Sequence, residues 1–119
     1  KEIIKGENMA ISVFSNKHID EKFGFYMLSS LPEKAGLIPY ADPIIHSFPN
    51  KQAPDELGIS GLMMMIESHC AFHWWPAKNY MNITISSCKP IRTKLVINFL
   101  KEIFGSENIL CTLTVWPGK

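Results

Sequence analysis

The sequence predicts an α+β fold, a two-layer α/β sandwich in which a mainly antiparallel sheet carries two helices on one face. Two observations predict it. Segments with the alternation of strands and segments with the four-residue spacing of helices follow in the order strand, helix, strand, strand, strand, helix, strand. A chain of 119 residues is also long enough for one hydrophobic core and too short for two, so a single domain is expected over residues 1–119.

Met9 to Phe14 opens the series, with Met9, Ile11 and Val13 on one face and Ala10, Ser12 and Phe14 on the other. From about His18 to Leu31 the period changes. Ile19, Phe23 and Met27 fall four apart, a helical stripe that Pro32 and Gly36 are expected to stop. Ile44 to Phe48 reads as a short apolar strand, and the proline-bearing "PNKQAPDELG" at 49–58 as an exposed loop. Gly61 to about Phe72 is the most apolar run and suits one central strand buried on both faces. Tyr80 to Ser87 alternates again, with Met81, Ile83 and Ile85 on one side and Asn82, Thr84 and Ser86 on the other; Cys88 follows and would join the polar side if the strand ran one residue further. Pro90 fits the first turn of a second helix that shows Ile91, Leu95, Phe99 and Ile103 on one face and ends at Gly105. Ile109 to Trp116 completes the sheet. Helices on one side leave the other side of the sheet bare, and apolar residues on both strand parities predict that a second copy covers it, making a homodimer.

Charge and cysteine usage remove several classes of function. Twelve basic and 11 acidic residues are spread along the chain for a net charge of +1, so no phosphate-tracking surface and no nucleic-acid partner are expected. No basic leader precedes an apolar stretch and no run approaches the ~20 apolar residues of a membrane span, so the expectation is a soluble, cytoplasmic protein without membrane contact. Cys70, Cys88 and Cys111 are odd in number and lack C-x-x-C spacing, which argues for free thiols over a disulfide framework or a zinc ribbon.

The chemistry concentrates in "IESHCAFHWWP", residues 66–76. His69 and His73, four apart, would share a metal on a helix; on a strand that spacing separates them by roughly 13 Å, so no metal site is expected. Cys88 with His69 or His73 as a nucleophile pair stays open, as does the reading of all of these as ordinary half-buried polar residues. A third reading makes the Glu67–Ser68 peptide itself reactive. Attack of the serine hydroxyl on the carbonyl before it moves the acyl group from nitrogen to oxygen. Loss of the serine Cα proton from that ester expels the upstream chain as a carboxylate, and hydrolysis of the dehydroalanine left behind gives a pyruvoyl group. Such steps need a base and a donor for the developing oxyanion, for which His73 and Ser60 are the candidates.

"GISG" at 58–61, "ESH" at 67–69, "HWWP" at 73–76 and Cys88, with "HSF" at 46–48 upstream, resemble in order and spacing the signature of the small prokaryotic S-adenosylmethionine decarboxylases. The resemblance implies a dimerising two-layer sandwich that cuts itself into a β chain 1–67, ending at Glu67, and an α chain 68–119 whose pyruvoyl cofactor derives from Ser68. It implies that His73 serves processing with Ser60 in support, that Cys88 assists processing and returns a proton to the substrate carbon, and that Phe48 and Trp75 face the substrate. The implied activity is decarboxylation of a small-molecule amino acid for polyamine synthesis. The pattern departs where the family places a glutamate that grips ribose hydroxyls: Ala77 stands there, followed by Lys78. Ile66 replaces a serine often found before E-S-H, and the connection before "GISG" is longer than usual. The resemblance makes S-adenosylmethionine the first expected substrate, and the missing ribose grip makes ornithine or arginine the alternative. A homologue that folds without cutting itself, and binds or regulates a partner, is the competing class.

Overall fold

The computed structural model describes residues 4–49, 55 and 57–117. Among them, seven strands form one sheet in the order β2-β4-β5-β6-β1-β7, with β3 also paired to β4, and every strand pairing is antiparallel. The strands are β1 (Gly6–Phe14), β2 (Ile38–Pro39), β3 (Ile44–Pro49), β4 (Leu57–Ile66), β5 (Ser68–Trp75), β6 (Tyr80–Ser87) and β7 (Ile109–Trp116); the helices are α1 (Glu21–Ala35) and α2 (Thr93–Phe104). The α+β sandwich is thus the observed architecture. Most of the 49–58 segment read as a loop, residues 50–54 and 56, lies outside the described residues.

Strand alternation decides what each face buries. Met9, Ile11 and Val13 of β1, Met81, Ile83 and Ile85 of β6, Cys70, Phe72 and Trp74 of β5, and Ile59, Met63 and Met65 of β4 all face the helices. The helices answer with Met27, Leu28 and Leu31 of α1 and Val96, Phe99, Leu100 and Phe104 of α2. Phe23 of α1 meets Phe104 of α2 edge-on at 5.1 Å between ring centres. The opposite face of the sheet carries no helix among the described residues.

Four sequence expectations need correction. The apolar run 61–72 is not one strand: β4 ends at Ile66 and β5 begins at Ser68, with Met65 paired to Ser68 across a turn made by Ile66 and Glu67. Nor is that run buried on both faces, since Leu62, Met64 and Ile66 point to the bare side. Pro32 does not stop α1 but lies within its last turn, and the helix closes on Gly36, whose left-handed backbone (φ 78°) sends its N–H back to Glu33 and Pro32. That φ is why the residue is glycine. Finally, α2 begins at Thr93 instead of Pro90, and of the expected 91-95-99-103 stripe Ile91 and Phe99 are buried and Ile103 packs on the core, whereas Leu95 is exposed, because the buried face is centred on Val96, Phe99, Leu100 and Phe104 and Leu95 lies at its rim. The short β2 was not anticipated; its two residues show no alternation to read.

Candidate active site

The correction at residue 67 builds the site. With β4 and β5 separate strands, the Glu67–Ser68 peptide lies at the tip of a hairpin instead of the middle of a strand, and the peptide before it, Ile66–Glu67, is cis. Ser68 opens β5 opposite Ser87, the last residue of β6. Its Oγ donates to Ser87 Oγ at 3.0 Å. Chain direction then brings Cys88, one residue past the end of β6, beside Glu67. The Cys88 N–H donates to the Glu67 carbonyl at 3.4 Å, and its Sγ donates to Glu67 Oε1 at 3.5 Å. The Ser68 hydroxyl and the carbonyl before it are therefore held by two successive residues of one neighbouring strand end.

Ser60 and His73 pair with each other elsewhere. They are opposite in the β4–β5 register, and Ser60 Oγ lies 2.5 Å from His73 Nδ1. Both point to the bare face, whereas Ser68 shares the helix-side parity of Cys70 and Phe72. Five residues of extended chain at about 3.3 Å each put His73 roughly 16 Å along β5 from Ser68. The rings around His73 form a ladder: His73 to Trp75 at 5.6 Å, Trp75 stacked on Tyr80 at 5.5 Å, Tyr80 to Phe14 at 5.1 Å. The Tyr80 hydroxyl is shared with Ser12 Oγ at 2.9 Å and accepts from Asn82 Nδ2 at 3.4 Å. Phe48 lies on the same face, 45 % exposed, its ring against Gly58. Ala77 and Lys78, both exposed, occupy a single 3-10 turn directly after Trp75.

The expected site residues thus fall into two groups, Glu67, Ser68 and Cys88 at the hairpin tip and Ser60, His73, Trp75 and Phe48 on the bare face. Sequence reasoning missed Ser87, which is 1 % exposed, and the ladder member Tyr80 with Asn82 on its hydroxyl. The signal for Ser87 was present: a hydroxyl on the apolar parity of β6, next to Cys88. Among the three cysteines, burial pushes the Cys70 thiol up to about 12, so it is protonated at neutral pH, and Cys111 lies exposed on β7, the edge strand away from both groups. Among the described residues no three His, Cys, Asp or Glu side chains are placed to share a metal ion.

A cleft of about 670 Å³ opens beside Cys88, between Lys5, Glu7, Lys89, Pro90 and Trp116. A smaller one of about 400 Å³ lies at the start of α1, lined by His18, Asp20, Asp55 and Trp74, and touches neither group. No helix of the described residues is long and apolar enough to cross a membrane.

Comparison with known proteins gives three findings. The family model of S-adenosylmethionine decarboxylase matches residues 11–114. An S-adenosylmethionine decarboxylase proenzyme of Acidithiobacillus ferrooxidans is 36 % identical over 53 residues, 44 % of this chain and 40 % of that protein. An arginine decarboxylase proenzyme of Caldivirga maquilingensis is 44 % identical over 34 residues, 29 % of this chain and 25 % of that protein. The matched segments span less than half of either relative. Among solved structures, the adenosylmethionine decarboxylase from Aquifex aeolicus superposes with a TM-score of 0.68 over 92 % of this chain and 88 % of that one; at 14 % identity this is a likeness of fold.

Proposed function

Because this chain belongs to the S-adenosylmethionine decarboxylase family, we propose that it is a self-cleaving, cytoplasmic decarboxylase whose pyruvoyl group is made from Ser68, with S-adenosylmethionine as substrate. Decarboxylation of arginine or ornithine is the second reading, favoured by Ala77 in place of a ribose-gripping carboxylate and by the similarity to an arginine decarboxylase proenzyme. The observation that carries the proposal is the grip of Ser87 and Cys88 on the two sides of the Glu67–Ser68 peptide.

The residues at the tip fit the formation of such a group. As Ser68 Oγ attacks the Glu67 carbonyl carbon, charge develops on the oxygen that already accepts the Cys88 N–H, and a donor aimed at a developing oxyanion lowers that barrier. Once formed, a pyruvoyl carbonyl engages the amino group of an amino acid and draws off the electrons released as carbon dioxide departs. Cys88, the half-buried thiol on the cleft wall, holds the proton that replaces the lost carboxylate. Lys5 and Lys89 line the cleft with positive charge suited to a substrate carboxylate, and Trp116 and Pro90 give it an apolar wall. Its volume of about 670 Å³ is in the range that accepts a nucleoside-bearing amino acid.

His73, across the sheet from Ser68, serves processing by way of a second copy: the chain works as a homodimer, and each Ser60–His73 pair acts on the hairpin tip of the partner. The test is an intact mass and a denaturing gel on the purified protein, followed by release of labelled carbon dioxide from each candidate substrate. The expected result is two fragments, 1–67 and 68–119, the second beginning with pyruvoyl in place of Ser68, a single uncut band for Ser68→Ala, and release from S-adenosylmethionine. Release from arginine or ornithine alone moves the assignment to the second reading. A lone uncut chain with a normal serine makes the protein a non-cleaving homologue and removes the proposal.

A further inference from the structure

Ser87 carries no role in what precedes beyond its contact, yet its environment is unusual. It is a hydroxyl side chain 1 % exposed on the helix-side face of β6, where its alternation partners Met81, Ile83 and Ile85 are all apolar core. Two hydrogen bonds converge on its Oγ, one from Ser68 Oγ at 3.0 Å and one from the Lys89 N–H at 2.9 Å. The second fixes the rotamer of Ser87, because the main chain at Lys89 cannot turn away. Its oxygen is therefore a fixed acceptor beside the hydroxyl that must react.

A serine hydroxyl has one proton to donate and two lone pairs. If the proton pointed at the Glu67 carbonyl oxygen, the lone pairs would face away from the carbon to be attacked. Directed to Ser87, it leaves both lone pairs available and raises the electron density on Oγ. The main chain then completes the arrangement, because the residue after Ser87 supplies the N–H on the Glu67 carbonyl. We propose that Ser87 is a positioning residue for self-cleavage, holding the Ser68 hydroxyl in the orientation from which it attacks. The inference rests on the self-cleaving reading above. In the step it serves, the Ser68 Oγ–Glu67 carbon bond forms, the carbon–nitrogen bond of the peptide breaks, and the hydroxyl proton ends on the Ser68 nitrogen. An amide becomes an ester and a free amine, with nothing added or lost.

The experiment follows cleavage of freshly synthesised chain over time for the wild type, Ser87→Ala, and the isosteric pair Ser87→Thr and Ser87→Val, with thermal unfolding of each as the check on folding. Ser87→Ala is expected to cut at least roughly tenfold more slowly than wild type, and Ser87→Val at least roughly tenfold more slowly than Ser87→Thr, the loss of one hydrogen bond to the attacking atom. Uncut Ser87→Val chain should also resist hydroxylamine, since the ester has not formed. If Ala cuts as fast as wild type, or Val as fast as Thr, Ser87 has no part in the step; if Ala does not fold, the Thr and Val comparison decides. Splitting of the uncut Val chain by hydroxylamine would place the defect after the acyl shift and overturn the proposal equally. A wild type that never cuts removes the self-cleaving reading itself, an outcome distinct from a wild type that cuts with or without the Ser87 hydroxyl.

Discussion

His73 is held by one nitrogen. Its Nδ1 is engaged with Ser60 Oγ at 2.5 Å, which orients the ring; in the tautomer whose Nδ1–H donates to that hydroxyl, Nε2 is the nitrogen that takes a proton. A base is needed for the Cα proton of the ester and not for the acyl shift that forms it, so losing His73 should arrest the chain halfway. His73→Ala is expected to run as one band that hydroxylamine splits into 1–67 and 68–119, whereas Ser68→Ala stays whole under the same treatment. Fragments from untreated His73→Ala at the wild-type rate would take the role from it. At this scale the sequence singles out Ser68, His73 and Ser60 by the chemistry their residue types allow, and Cys88 by the family resemblance. Their grouping was not legible. Offsets say nothing about which face a strand residue takes once the strand boundaries are misplaced, and reading 61–72 as one strand hid the contact of Ser68 with Ser87.

At the scale of elements, one ring shows how tightly the helices seat on the sheet. Phe72 of β5 is 1 % exposed and lies between two glycines: a Cβ on Gly24 of α1 would stand 2.6 Å from its Cζ, and one on Gly61 of β4 would stand 2.6 Å from its Cε1. Helix propensity alone favours Gly24→Ala by about 1 kcal/mol. Overpacking costs about 1–3 kcal/mol when the neighbour cannot move, and here the ring is blocked from both sides. Gly24→Ala should therefore lower the melting temperature by a few degrees, measured in a Ser68→Ala background so that only uncut chain is compared; a rise would show that the ring has room. The close fit also explains the second glycine of "GISG", which borders the Phe72 ring, Leu28 and Ile45. Elements with clear alternation were readable from the sequence, β6 and β7 to the residue and β1 from Met9 on, its first three residues Gly6 to Asn8 lying before the alternation that marks it. The β4–β5 hairpin was not, because its turn is Ile66 and Glu67, without the Asn-Gly or Asp-Gly pair that marks a two-residue hairpin, and because Met63, Met64 and Met65 give no contrast between faces.

For the whole molecule the decisive fact is separation. The Ser68 group and the His73 group lie roughly 16 Å apart along β5 and on opposite faces of it, too far for a proton to pass between them within one chain. The bare face that carries His73 is also apolar: Leu62, Met64 and Ile66 of β4 are 50, 57 and 44 % exposed there, and Phe14 and Trp75 of the aromatic ladder add to it. A patch of this kind on a sheet is suited to burial against another copy. In the homodimer proposed here, every working site combines the Ser68 of one chain with the His73 of the other. Two dead chains should then repair each other. When Ser68→Ala and His73→Ala are produced together, the His73→Ala chain has its serine and borrows a histidine, so it should be cut without hydroxylamine, while the Ser68→Ala chain stays whole. Mass spectrometry distinguishes the two, because fragment 68–119 from the His73→Ala chain carries the substitution. Mixed dimers confirmed by size but yielding no fragments, or a wild type that cuts itself as a monomer, would return His73 to its own chain and require the β4–β5 hairpin to rearrange before it can react.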